Sequence, residues 1–119
     1  MNEALVVDRS EAFPFSEVVA LKGPLTGRNG DVFRNAMRRE DSSPTLILDF
    51  SEVPYIDSAG LGLLVSAHVS RQKAGRRTVL SGINSRVQKL FEVTRVNDLF
   101  LVFSSPEEAV TALENAAEA

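Results

Sequence analysis

Apolar positions along this chain fall into two alternating patterns. Residues 4–7, 18–21, 45–50, 78–80 and 99–103 are short apolar runs bounded by turn formers, as expected of strands. The run at 45–50 is nearly continuous, which suits a central strand covered on both faces. Residues 11–16 contain Pro14 and read as a turn or an irregular hairpin connection. Gly23-Pro24 stops the second run. Between the strands the period lengthens. Val32, Phe33, Ala36 and Met37 predict a helix over about 30–40, ended by Asp41-Ser42-Ser43-Pro44. Leu61, Leu64, Val65 and His68 share one face of a helix over 59–73, with Gly75 placed to terminate it. Ser85-Arg86-Val87-Gln88 reads as a capping box for a third helix that turns Val87, Leu90 and Phe91 inward. Ser105-Pro106-Glu107-Glu108 is a second box, with proline at the first helical position, for a helix whose inner face is Ala109, Val110, Leu113 and Ala116.

The predicted order is β-β-α-β-α-β-α-β-α. Such alternation implies an α/β domain with a mixed, mostly parallel sheet of about four to five strands and about four helices. The 119 residues make one domain, 1–119, with its core over about 4–117. No cysteine is present, so disulfides and thiolate chemistry are excluded. No run is long and apolar enough to span a bilayer, and the start lacks the features of a signal peptide, so a cytoplasmic location is expected. A net charge of −3 argues against nucleic-acid binding, which needs clustered positive charge. Arg38-Arg39 and Arg76-Arg77 read as solvated helix and turn ends.

Candidate chemistry concentrates where the third strand hands over to the second helix, at Val53-Pro54-Tyr55-Ile56-Asp57-Ser58-Ala59-Gly60-Leu61-Gly62. A serine hydrolase would need a base beside Ser58. The single histidine, His68, lies about ten residues along the helix, roughly 15 Å of rise away. The motif is not G-x-S-x-G either. Asp49, Glu52 and Asp57 could offer oxygens to Mg²⁺, but their spacing matches no metal loop, so neither a metal nor a cofactor is expected. Gly60-Leu61-Gly62 lacks the rest of a nucleotide fingerprint; these glycines either admit a neighbouring backbone or admit a partner. Ser58 is then either a plain helix cap or a phosphate acceptor. A phosphate there adds about −1.5 to −2 charges at a helix start that tolerates negative charge. From spacing alone both readings stay open, and the plain cap is the simpler.

The same residues resemble the STAS domain, the family named for sulfate transporters and anti-sigma factor antagonists. The likeness runs over roughly 4–117. Its carriers are the 46–50 strand with the 53–62 segment, the strand at Thr78-Val79-Leu80, and residues 87–100, similar to the family's V-x-x-L-F-x-x-x-x-L helix and exit. The resemblance implies a non-enzymatic anti-sigma factor antagonist. When unphosphorylated it would bind an anti-sigma factor that is also a serine kinase, and phosphorylation at Ser58 would release it until a phosphatase resets the switch. Asp57, Ser58, Ala59, Gly60, Leu61 and Gly62 would shape the partner interface, with the exposed side of the 59–73 helix as docking surface. Two departures stand out. Gly23-Pro24-Leu25-Thr26 replaces the family's frequent Gly-Glu-Leu-Asp, and Ala59 stands where many members carry a second hydroxyl. The alternatives are a scaffold or lipid-transport accessory role without phosphate turnover, and small-molecule sensing by the domain itself. Monomer and weak homodimer are both compatible with the sequence.

Overall fold

Leu46, Ile47 and Leu48 are apolar in succession because both sides of their strand are covered. The computed structural model describes residues 4–13, 16–38 and 43–118. Its elements are β1 Val6–Phe13, β2 Ser16–Lys22, α1 Gly30–Met37, β3 Thr45–Glu52, α2 Ser58–Lys73, β4 Arg77–Ser81, α3 Ser85–Val93, β5 Val102–Phe103 and α4 Pro106–Glu118. They form a five-stranded sheet in the order β1-β2-β3-β4-β5. β1 and β2 are antiparallel; every other pair is parallel. The α/β class, the element order and the mixed, mostly parallel sheet agree with the sequence pattern.

Successive strand residues point to opposite faces. Leu46, Leu48 and Phe50 of β3 join Val19 and Leu21 of β2 and Leu80 of β4 in the larger core, with Phe33, Leu61, Leu64, Val87 and Phe91 from α1, α2 and α3. Ile47 and Val79 turn the other way and pack against Ala109 of α4, flanked by Val18, Val110 and Leu113. Three helices therefore cover one face and α4 the other.

Several boundaries differ from expectation, each for a local reason. β1 is longer than the 4–7 run because its polar residues, Asp8 to Glu11, pair in register with β2. The expected turn over 11–16 is mostly strand, with a register irregularity between Glu11 and Phe13; residues 14 and 15 lie outside the described residues. α1 ends at Met37, and the expected stretch at 39–42 also lies outside them. β5 shrinks from 99–103 to two residues, leaving Leu99, Leu101 and Val102 exposed. At α3 the cap is Asn84 rather than Ser85: its Oδ1 accepts from the Val87 N–H at 2.8 Å. At α4 Ser105 caps as read, accepting from the Glu108 N–H, while the Glu108 carboxylate reaches back to Ser104.

Gly75 ends α2 as expected. It holds φ +76°, its N–H bonds Gln72 O, and the Arg76 N–H bonds Arg71 O, which is a Schellman closure. α3 ends with the same bond pair, Arg95 to Glu92 and Val96 to Phe91, but with Arg95 in the left-handed region at φ 61°.

The two glycines of the central motif separate cleanly. A Cβ on Gly60 would stand 2.1 Å from the Leu25 carbonyl oxygen, whereas one on Gly62 would meet nothing within 4 Å. Gly60→Ala should therefore lose about 2 kcal/mol or more through backbone overlap, while Gly62→Ala should gain roughly 0.5–1 kcal/mol from helix propensity. Urea unfolding of the two variants checks this. A second expectation concerns His68, whose ring lies 4.9 Å from that of Phe100 and whose buried Nδ1 has no hydrogen-bond partner among the described residues. Burial lowers its pKa, so the neutral form is favoured by folding. That contribution is complete above the unfolded value near 6.5 and is lost as pH falls toward the lower folded value. Stability should therefore decline as pH falls below about 6.5, and His68→Gln should flatten that decline.

Candidate functional site

Asp57, not Ser58, caps α2. Its backbone is extended, and its Oδ1 accepts from the Gly60 N–H at 2.7 Å. Of the two readings left open for Ser58, the plain cap does not hold: the acid one residue earlier takes the bond that a capping hydroxyl would take. Ser58 becomes the first helical residue. It is exposed, and its hydroxyl has no hydrogen-bond partner among the described residues. The backbone N–H groups of the first helical turn, to which it belongs, are those a helix leaves without intrahelical partners.

The surrounding loops are tied together through the main chain. Leu25 forms a parallel bridge with Ile56: the Leu25 N–H donates to Tyr55 O and the Asp57 N–H donates to Leu25 O, both at 3.2 Å. The second carboxylate oxygen of Asp57 accepts from the Gly27 N–H at 3.4 Å. Asn29 folds the same loop onto itself, with its Oδ1 accepting from the Thr26 N–H and its Nδ2 donating to Pro24 O. The segment Gly23-Pro24-Leu25-Thr26 thus lies directly beside the start of α2. Leu25 within it is fully buried, and Gly23 at φ +111° sits against Ala4 O, where a Cβ would come within 2.2 Å.

On the other flank, Asn84 does two jobs. Besides capping α3 it donates Nδ2 to Val53 O at 3.2 Å and Pro54 O at 3.1 Å, pinning the loop that leads to Ser58. Arg86 lies over the Tyr55 ring, 4.9 Å from its centroid. Asn84 escaped the sequence reading because Ser85 offered a competing cap, although Asn is as good a capping residue. Arg71 escaped it too. A charged residue near a helix end normally faces water, yet Arg71 is buried, with Nε donating to Thr78 Oγ1 and Nη2 to the carbonyls of Ser43 and Arg77. Burial, with Arg76 nearby, pushes its pKa down to about 10.

Of the six residues named for the interface, Asp57, Ser58, Ala59 and Gly62 are exposed around the first turn of α2. Gly60 and Leu61 are buried and hold that turn in place. His68 packs on Phe100, further along the helix. The three acids considered for a metal are engaged separately. Asp49 accepts from the Ser51 N–H and hydroxyl, Glu52 pairs with Lys22 at 4.0 Å, and Asp57 caps α2. Among the described residues no cluster of three or more potential ligands is placed to hold a metal ion, and no helix is long and apolar enough to cross a membrane.

The chain is similar to several known proteins. The Listeria monocytogenes anti-sigma-B factor antagonist is 41% identical over 54 residues, 45% of this chain and 47% of that protein; the match thus spans about half the relative's length. Among solved structures, a sulfate transporter family protein from Wolinella succinogenes superposes with a TM-score of 0.80 at 21% identity, covering 92% of this chain and 93% of the other. The Bacillus cell fate determinant SpoIIAA in its phosphorylated form superposes at 0.71 and 19% identity, covering 91% and 99%. At these identities the two structures establish the fold. The family model of the STAS domain matches residues 11–109, and the chain therefore belongs to the STAS domain family.

Proposed function

We propose that this domain is an anti-sigma factor antagonist whose binding is switched at Ser58. In the unmodified state, the first turn of α2 and the adjoining 23–29 loop dock on an anti-sigma factor that is also a serine kinase. The kinase moves the γ-phosphoryl group of its own ATP to Ser58 Oγ. The bond from the γ-phosphorus to the bridging oxygen of ADP breaks, the Oγ–P bond forms, and the hydroxyl proton leaves to a base of the kinase. ADP departs, and a phosphatase later hydrolyses the ester. The domain supplies the acceptor and the docking surface; nucleotide, metal and base belong to the partner.

One observation carries the reading: the Ser58 hydroxyl is exposed and without a hydrogen-bond partner among the described residues, while the capping bond that could have sequestered it is made by Asp57. Phosphate at the first helical residue meets free N–H groups and the positive end of the helix dipole, so the fold tolerates the charge. A partner packed on the same turn meets a bulky dianion beside the Asp57 carboxylate. Desolvation and like-charge repulsion then weaken the complex without unfolding the domain. The relative named as an anti-sigma-B factor antagonist supports the role, and the structural neighbour described in its phosphorylated form is consistent with a switch of this kind. Thr26 and Pro24, where the family often has acids, are expected to alter which kinase docks rather than whether phosphate transfer occurs.

Phosphosite mapping on the protein from its own cells, stressed and unstressed, tests the proposal. Trypsin leaves residues 40–71 as one peptide that also contains Ser42, Ser43, Ser51, Ser66 and Ser70, so fragment ions must localise the group. Condition-dependent phosphate on Ser58 is expected, with Ser58→Ala retained on the anti-sigma partner under every condition. Absence of phosphate from Ser58 throughout, with Ser58→Ala functioning normally, would replace the switch by a constitutive scaffold or transport-accessory role.

A further inference from the structure

The loop between β2 and α1 meets the first turn of α2 through Gly27 as well as through Leu25. The Gly27 N–H donates to Asp57 Oδ2 at 3.4 Å, and a Cβ built on Gly27 would stand 3.0 Å from Ala59 Cβ. Gly27 therefore lies against the residues on both sides of Ser58. The loop is held in that position. Asn29 accepts from the Thr26 N–H at 2.8 Å and donates to Pro24 O at 2.6 Å, while Leu25 is fixed by its bridge to Ile56.

Arg28 follows Gly27 directly, so its Cα is about 3.8 Å from that of Gly27. Its side chain is exposed and makes no hydrogen bond or ion pair among the described residues. Cations nearby are engaged elsewhere. Arg34 bonds Asp31 within α1, and Arg86 on the opposite flank lies 4.9 Å over the Tyr55 ring. The carboxylates described beside the loop are engaged too: Asp57 accepts from Gly60 and Gly27, and Asp31 from Arg34. The loop thus sets an unpaired guanidinium, on a flexible stem, next to the turn that displays the Ser58 hydroxyl. A phosphate on that hydroxyl brings about −1.5 to −2 charges and three strong acceptor oxygens. A planar guanidinium is the side chain best suited to receive them, through two parallel N–H bonds.

We propose that Arg28 is the counter-cation of phosphorylated Ser58: its guanidinium swings onto the phosphate, donates to two of its oxygens and clamps the 26–29 loop against the first turn of α2. This rests on the reading of Ser58 as phospho-acceptor and adds the residue that answers the new charge. Phosphorylation then alters the surface twice. It places a dianion at Ser58, and it withdraws from the docking loop a cation that the unmodified domain offers to an acidic group of its partner. The pair is exposed, so it adds little to the stability of the fold and weakens in salt.

The test uses the full chain with phosphoserine installed at position 58 during synthesis, so that no kinase is needed, and follows the phosphorus NMR resonance against pH. A cation paired with the phosphate favours the dianion and so lowers the pH at which its second proton leaves. At low ionic strength Arg28→Ala should raise that midpoint by about 0.4 pH unit, Arg28→Lys should restore most of the difference, and concentrated salt should shrink it. Lys73→Ala removes the same charge about 22 Å of helix rise from Ser58 and should move the midpoint by less than about 0.1 unit. Equal midpoints with and without Arg28 would overturn the pairing. So would an equal rise in Lys73→Ala, which would mark an effect of net charge alone. Neither result touches the Ser58 switch itself, which phosphate occupancy in cells and partner affinity decide separately.

Discussion

Everything presented at the candidate site depends on one close approach, that of the first turn of α2 to the backbone of Leu25. Only a glycine at position 60 permits it, because any Cβ would overlap the Leu25 carbonyl. The contact is secured by the Leu25–Ile56 bridge and by a single carboxylate. Asp57 offers one oxygen to Gly60 and the other to Gly27, so the group that caps the helix also holds the loop beside it. With the cap supplied by Asp57, Ser58 is free to face outward. The local order acid, hydroxyl, small residue, glycine is thus a mechanical arrangement: one residue holds, the next is displayed, and the glycine allows the fit.

Around that contact the polar interior is built from few, well-used side chains. Asn84 links the β3–α2 loop to α3, and Asn29 folds the β2–α1 loop. At the far end of α2, Arg71 ties the helix to the carbonyls of Ser43 and Arg77 at the start of β3 and β4. α2 is therefore fixed at both ends while its exposed flank stays open. A helix held this way can accept a charge at its first turn without passing the disturbance into the core. That is the physical requirement for a surface switch, in contrast to a switch that works by unfolding. Gly62 fits the same logic. Nothing within the domain needs a glycine there, so its smoothness is available to whatever packs on the outer face.

The fold was legible in the sequence wherever burial sets the period. β3, α2, β4 and α4 fall where the apolar spacing puts them, and Gly75 closes α2 through the positive φ that favours glycine. The misreadings occur where polar residues decide. β1 extends through Asp8, Arg9, Ser10 and Glu11 because an edge strand needs only backbone pairing and one covered face. β5 is short because only Val102 and Phe103 pair with β4, while Phe100 before them turns into the core although the run is apolar throughout. Ser85 reads as a cap and Ser58 as either a cap or a phosphate acceptor, and in each case the preceding residue, Asn84 or Asp57, holds the extended backbone that a cap requires. Arg71 stands seven residues after Leu64 and three after His68, on the inward face of α2, whereas Gln72 and Lys73 do not; its charge masked that positional signal. Placement of Ser58 at the head of α2 was legible; its freedom from the capping bond was not.

The central claim is that phosphate on Ser58 changes the surface and leaves the fold intact. The most direct test prepares the domain unmodified and stoichiometrically phosphorylated at Ser58, then measures melting temperature and affinity for the anti-sigma partner on the same samples. The account predicts melting temperatures within about 3 °C of each other and an affinity at least tenfold weaker after phosphorylation, a change of about 1.4 kcal/mol or more. Equal affinities would contradict the switch. Weakened binding accompanied by a large fall in melting temperature would contradict its surface character and point to local unfolding of the α2 start instead.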